Sequence, residues 1–121
     1  MFLVDTNIWL ERLLDQAKSD EVGQFFDKVS SNRLFITDFT FHSIGLVMSR
    51  LDRSDALLSF VQDVFINGAV RIIHLQPEDM GQLVQVMGHF KLDFDDAYQY
   101  VAEGKNNLAI ISLHFCIECK E

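Results

Sequence analysis

The chain has 121 residues, of which 49% are apolar, and a formal net charge of −8. That length describes one domain with enough apolar material to fold without a disulfide or a structural metal. Two features exclude a membrane span and a secretory leader: no apolar run reaches the ~18 residues a span needs, and Met1-Phe2-Leu3-Val4 meets Asp5 with no basic stretch before it.

The expected location is therefore the cytoplasm. The acid excess counts against a nucleic-acid binder, which usually shows a basic face. Two arrangements remove that objection: a bound cation can neutralise clustered carboxylates, or a basic partner can supply charge. The two cysteines, Cys116 and Cys119, are spaced C-x-x-C near the end, which is not a disulfide framework.

In chain order, Phe2-Leu3-Val4 is a short apolar run and reads as a first strand. Ile8, Leu10, Leu13, Leu14 and Ala17 then fit a helix, and Val22, Phe25, Phe26 and Val29 follow i, i+3, i+4, i+7. Leu34-Phe35-Ile36 is a second strand. Phe41, Ile44, Met48 and Leu51 form a third helical stripe. Leu57, Leu58, Val61, Val64 and Phe65 form a fourth, with Ser54 as its expected N-cap and Gly68 as its end. Val70-Arg71-Ile72-Ile73 is a third strand. Pro77 falls at a first helical position with Glu78 and Asp79 behind it, and Met80, Leu83, Val84, Met87 and Phe90 continue that helix. Asp93 opens another, carrying Phe94, Ala97 and Val101 and closed by Gly104. Leu108-Ala109-Ile110-Ile111 is a fourth strand.

Strands that read as continuous apolar runs are buried on both faces. With helices between them they pair in parallel through right-handed crossovers, which makes an open α/β sheet with the first strand central. Ligands of such sheets gather at the carboxyl ends of the strands. Asp5 follows the first strand, Asp38 the second, and Asp93, Asp95 and Asp96 open the helix before the fourth. Each alone is explained by capping or by the helix dipole. Together they point to a cation site, because two carboxylates ~4 Å apart repel by about 4 kcal/mol at an effective dielectric of 20. A hard ion such as Mg²⁺ needs only one or two protein carboxylates.

These residues resemble a family. Leu3-Val4-Asp5-Thr6-Asn7-Ile8-Trp9-Leu10 looks like the opening motif of PIN domains, including VapC-like toxins of toxin–antitoxin pairs. Leu92-Asp93-Phe94-Asp95-Asp96-Ala97 looks like the third motif, with Asp96 as its acidic position. Ile110-Ile111-Ser112, followed by Leu113 and His114, looks like the strand leading into the fourth. The resemblance implies a three-layer α/β/α fold around a parallel sheet of four to five strands, with residues 1–121 as a single domain. It also implies hydrolysis of RNA phosphodiesters with Mg²⁺ or Mn²⁺, a homodimer and, for a toxin, an antitoxin partner.

Two positions depart from the pattern. The Glu of the second motif falls near Ser43, within Phe41-His42-Ser43-Ile44. The Asp of the fourth falls at Leu113 or His114. Asp38 and His42, four apart, share a helix face, and His114 offers an imidazole nitrogen; these are the candidate substitutes. A soft-metal cluster of His114, Cys116 and Cys119 is the weaker reading, since zinc sites usually take four ligands; a frayed tail is the stronger one.

The expected site is therefore Asp5 and Asp96 as metal ligands, helped by Asp93 or Asp95 and by Asp38, with Asn7 or Thr6 orienting a phosphate or a water. The rival reading is a PIN-fold protein of little or no activity that works through dimerisation or partner binding. A nucleotide-binding domain of another kind is disfavoured, since no G-x-G-x-x-G loop occurs.

Overall fold

A computed structural model of the chain describes residues 1–112. Four strands form one sheet: β1 (Phe2–Val4), β2 (Leu34–Thr37), β3 (Arg71–Ile73) and β4 (Ala109–Ile111). Their order is β3-β2-β1-β4 and every pairing is parallel. The first strand is interior, as its unbroken apolar run requires. Phe2 and Leu3 pair with Leu34 and Phe35 on one side and with Ala109 and Ile110 on the other.

Six helices connect the strands among the described residues: α1 (Thr6–Leu13), α2 (Ser19–Lys28), α3 (Asp38–Arg50), α4 (Ser54–Val61), α5 (Met80–Phe90) and α6 (Phe94–Asn106). Alternation along the strands sends their side chains to two cores. Val4, Leu34, Ile36 and Ile111 pack with Ile8, Trp9, Phe25, Ile44, Met48 and Phe60 on the face covered by α1 to α4. Leu3 and Phe35 point the other way, onto Leu83, Val86, Ala97, Val101 and Ala102 of α5 and α6. The result is three layers, α/β/α. Leu3, Leu83 and Ala97 are fully buried; each leucine side chain so buried contributes roughly 1.5–3 kcal/mol.

The two faces differ in texture. The first is aromatic: Trp9 stacks on Phe26 with ring centroids 4.8 Å apart and meets Phe60 edge-on at 5.5 Å. The second is mainly aliphatic, with Leu3, Leu83, Val86, Ala97, Val101 and Ala102 around Phe35. The hand-over from β1 to α1 and from the 92–93 turn to α6 is set by capping. Asp5 and Asp93 each stand in extended backbone and accept from a helix-start N–H.

Several element ends differ from the sequence expectation. The first helix stops at Leu13 rather than continuing to Ala17, and Asp15 takes a left-handed conformation (φ 52°) just beyond. Ser54 is the first helical residue of α4, not its cap; Arg53 holds the cap position with no side-chain bond. A π-helical turn, Gln62–Ile66, extends α4. Gly68 closes it as expected, since a Cβ there would collide with the Val64 carbonyl oxygen. Gly104 lies inside α6, which runs to Asn106 and ends on Asn107 in the left-handed region (φ 55°). Asparagine tolerates that conformation better than most residues. Pro77 opens a 3-10 turn, Pro77–Asp79, that leads into α5 as the sequence indicated.

Candidate active site

The carboxyl ends of β1 and β2 meet the start of α6 around a cavity of about 260 Å³ lined by Asp5, Thr6, Asn7, Phe39, Thr40, Ser43, Asp95, Asp96 and Gln99. Asp5 is half-buried at its base. Its backbone N–H donates to the Ile111 carbonyl at 3.0 Å, which ties the residue to β4. Its Oδ1 accepts from the Thr6 N–H at 2.8 Å and from Gln99 Nε2 at 3.0 Å. Both bonds fall on one oxygen, so the carboxylate is held in a fixed orientation by α1 and α6 together.

Asp96 reaches the cavity from the first turn of α6. Its carboxyl is raised above the ordinary aspartate value by partial burial, then by the negative charges of Asp93, Asp5 and Asp95. The mutual repulsion expected of clustered carboxylates is therefore present, and it is not relieved by an ion pair. The one salt bridge among the described residues joins Lys105 to Asp79 elsewhere. Asp95 lines the cavity beside Asp96.

The wall contributed by α3 is uncharged. Thr37 Oγ1 caps α3 by accepting from the Thr40 N–H at 3.0 Å. The Thr40 hydroxyl accepts from Thr6 Oγ1 at 3.0 Å. Thr37 and Thr40 are both buried. Ser43 faces the cavity one turn further on, at the place where the PIN pattern sets a Glu.

The other candidates fall out differently. Asp93 does not line the cavity; its Oδ1 accepts from the Asp96 N–H at 2.9 Å and so fixes the start of α6. Asp38 does not line it either. Its Oδ1 accepts from the Phe39 N–H and from the Tyr98 hydroxyl, each at 2.8 Å. Tyr98 Oη in turn accepts from the Leu75 N–H at 2.9 Å, so Asp38 belongs to a tie between α3, α6 and the loop after β3. Burial raises the Tyr98 hydroxyl pKa, an effect partly offset by the Leu75 N–H and reinforced by Asp38. His42 is exposed and off the cavity. The shared helix face of Asp38 and His42 thus points away from the carboxylates. Leu113, His114, Cys116 and Cys119 lie outside the described residues.

Gln99 and Thr40 were not among the sequence candidates. Gln99 had a readable signal, since it stands three residues after Asp96 and shares its helix face. Thr40 had none, because its partner Thr6 is 34 residues away.

As a donor set, the described residues of the cavity present carboxylate, hydroxyl and amide oxygens with no thiol or imidazole among them. Hard cations prefer such ligands. Among the described residues, no three acidic, His or Cys side chains gather closely enough to form a metal cage. The residues present therefore fit an ion that keeps most of its water and takes two carboxylates, which is how Mg²⁺ is usually held.

The described residues thus form a parallel three-layer α/β/α domain with carboxylates gathered at the strand ends. The PIN domain model matches residues 2–113, and the chain belongs to the PIN domain family. Solved structures agree in fold. The chain is similar to the Mycobacterium tuberculosis toxin VapC20, described as cleaving the sarcin–ricin loop, with a TM-score of 0.79 and 12% identity over 99% of this chain and 95% of that one. It is similar to a chain of a toxin–antitoxin complex from Klebsiella pneumoniae, with a TM-score of 0.73 and 17% identity over 93% and 85%. It is also similar to FitAcB from Neisseria gonorrhoeae, with a TM-score of 0.71 and 16% identity over 93% and 86%. A search of the curated proteins found no match.

Proposed function

We propose that the chain is a divalent-metal-dependent ribonuclease whose site holds one cation, and that it serves as the toxin of a toxin–antitoxin pair. The observation that carries the reading is the meeting of Asp5 and Asp96 in one cavity, where their charges oppose each other and no cationic side chain among the described residues is paired to them. Asp5 and Asp96 would hold Mg²⁺ or Mn²⁺, with Asp95 at the rim. Such an ion would supply charge for a phosphate oxygen and increase the acidity of a water. Gln99 and the Thr6 N–H keep the Asp5 carboxylate from turning. Asn7 and the Ser43 hydroxyl face the space a scissile phosphate would occupy, and each offers it a hydrogen-bond donor.

The net charge of −8 slows encounter with RNA at long range. A cation and a basic partner would both oppose that. The toxin–antitoxin description of the Klebsiella structure supports an antitoxin as that partner, and a homodimer is the family's expected assembly. No helix among the described residues is long and apolar enough to cross a membrane.

One observation favours the rival reading, a PIN-fold protein of weak or no activity that acts by binding. Ser43 stands where the second-motif Glu is expected, so α3 brings no carboxylate to the cavity. A cleavage time course on single-stranded RNA with Mn²⁺ separates the two. The nuclease reading expects slow cleavage that is lost with chelator and in both Asp5→Asn and Asp96→Asn. Equal cleavage by native protein and variants would remove this site from the chemistry. No cleavage by native protein, with Mn²⁺ bound, would favour the binding role.

A further inference from the structure

A row of aromatic rings leaves the acidic cavity along the seam between α3 and α6. Phe39 lines the cavity itself. Its ring lies 6.2 Å from that of Tyr98, tilted by 37°, and Tyr98 lies 6.1 Å from Phe94, tilted by 45°. Phe94 is 46% exposed although it directly precedes Asp95 and Asp96. Nearly half of that large apolar side chain is left open to solvent. Phe94 and Tyr98 are four apart and share one helix face. Tyr98 is anchored by Asp38 and by the Leu75 N–H, so the middle ring cannot swing away.

We propose that Phe39, Tyr98 and Phe94 form a nucleobase-stacking platform, which seats unpaired bases of single-stranded RNA whose phosphate lies at the Asp5–Asp96 cavity. The inference rests on the metal-site reading above and adds what selects the substrate. The occupant follows from the platform's continuity with the carboxylates and from the charge of the chain. A domain of net charge −8 draws little affinity from the RNA backbone, whereas stacking on aromatic rings is independent of charge and tolerant of sequence. A duplex, whose bases are stacked on one another, cannot use such a platform.

The test is fluorescence anisotropy with a labelled adenosine octamer, its abasic counterpart and a duplex of the same length, in Ca²⁺ to limit turnover. Native protein should bind the single-stranded octamer more tightly than either control. Phe39→Leu and Phe94→Leu should each weaken that binding about five- to tenfold, and Phe94→Trp should restore or tighten it. Phe94→Leu keeps an apolar side chain at an exposed position, so folding should survive; its melting temperature checks this. Equal binding of octamer by native protein and both leucine variants would overturn the platform while leaving the metal site standing. Equal binding of abasic RNA or duplex would do the same. If native protein binds Mn²⁺ but no RNA, both the platform and the RNA substrate fail; absence of Mn²⁺ binding would locate the failure in the metal site. A Phe94→Leu variant that changes only the dimer fraction in sedimentation would assign the exposed ring to a second copy of the chain and overturn the proposal.

Discussion

The two walls of the acidic cavity are made by helices of equal length and opposite chemistry. From α6 come Asp95 and Asp96, and Asp96 is held more protonated than an ordinary aspartate by partial burial, then by the charges of Asp93, Asp5 and Asp95. From α3 come Thr40 and Ser43, whose hydroxyls carry no charge. The first wall is electrostatically unsatisfied and gains from a cation. The second is partly satisfied already, through the Thr6–Thr40–Thr37 hydrogen bonds. A PIN cavity with carboxylates on both walls could hold two ions, one for the attacking water and one for the leaving oxygen. Under the proposed nuclease function, carboxylates from α6 and β1 but none from α3 suit the cavity to a single ion and to slower cleavage.

The sharpest way to break this contrast is to neutralise one wall at a time. Losing an outer partner of a metal ligand typically costs 10–100-fold, so removing the ligand itself through Asp96→Asn should lower Mn²⁺-dependent cleavage by on the order of hundredfold or more. Ser43→Ala should cost no more than about threefold. Comparable losses in initial-rate measurements would show that the hydroxyl wall is as important as the acidic one. The contrast is sharpened by making the walls alike. Ser43→Glu places a carboxylate opposite Asp96 and should tighten Mn²⁺ binding, read by calorimetry, by about tenfold, or about 1.4 kcal/mol. Weaker binding would mean that α3 stands too far away to share the ion.

A smaller effect concerns the bond that joins α1 to α3. Thr40→Val keeps the shape, removes the hydroxyl, and leaves Thr6 Oγ1 without its acceptor. It should lower stability by about 1 kcal/mol in urea titration, with little change in the Mn²⁺ affinity set by Asp5 and Asp96. The smallest expected effect is on pH. Asp96 is raised above 3.8 in the fold, so the folded state binds its proton more readily than the unfolded chain. Its ionisation therefore opposes folding at neutral pH, and that opposition is relieved as the pH falls through the raised value. In metal-free protein, Asp96→Asn should melt slightly above native at pH 7, and the gap should close toward pH 4. An unchanged gap would show that Asp96 does not feel its neighbours.

Much of this was legible because it is local. The apolar runs at Phe2-Leu3-Val4 and Leu34-Phe35-Ile36 announced strands buried on two faces, and the structure pairs them in parallel. Asp5 and Asp93 read as caps and are caps. Helix ends were less legible, because Gly104 and Ser54 have end-forming propensities that neighbouring turns overrode. Site membership was the least legible. Asp38 has the sequence position of a ligand, yet its carboxylate accepts from a tyrosine hydroxyl 60 residues away. Gln99 has the look of a surface residue, yet it holds Asp5 across 94 residues.

The sequence by itself determined the α/β class, the order of the elements and the first acidic anchor, since alternating periodicity and capping act over a few residues. Only the tertiary structure decided which carboxylates face one another. That choice depends on where β1, β2 and the start of α6 converge, with Ala97 and Ala102 of α6 buried in the same core as Leu3 of β1. Hydrogen bonds such as Gln99 to Asp5 and Tyr98 to Asp38 form after that convergence. No spacing along the chain encodes them, because each partner's neighbours in sequence are not its neighbours in space.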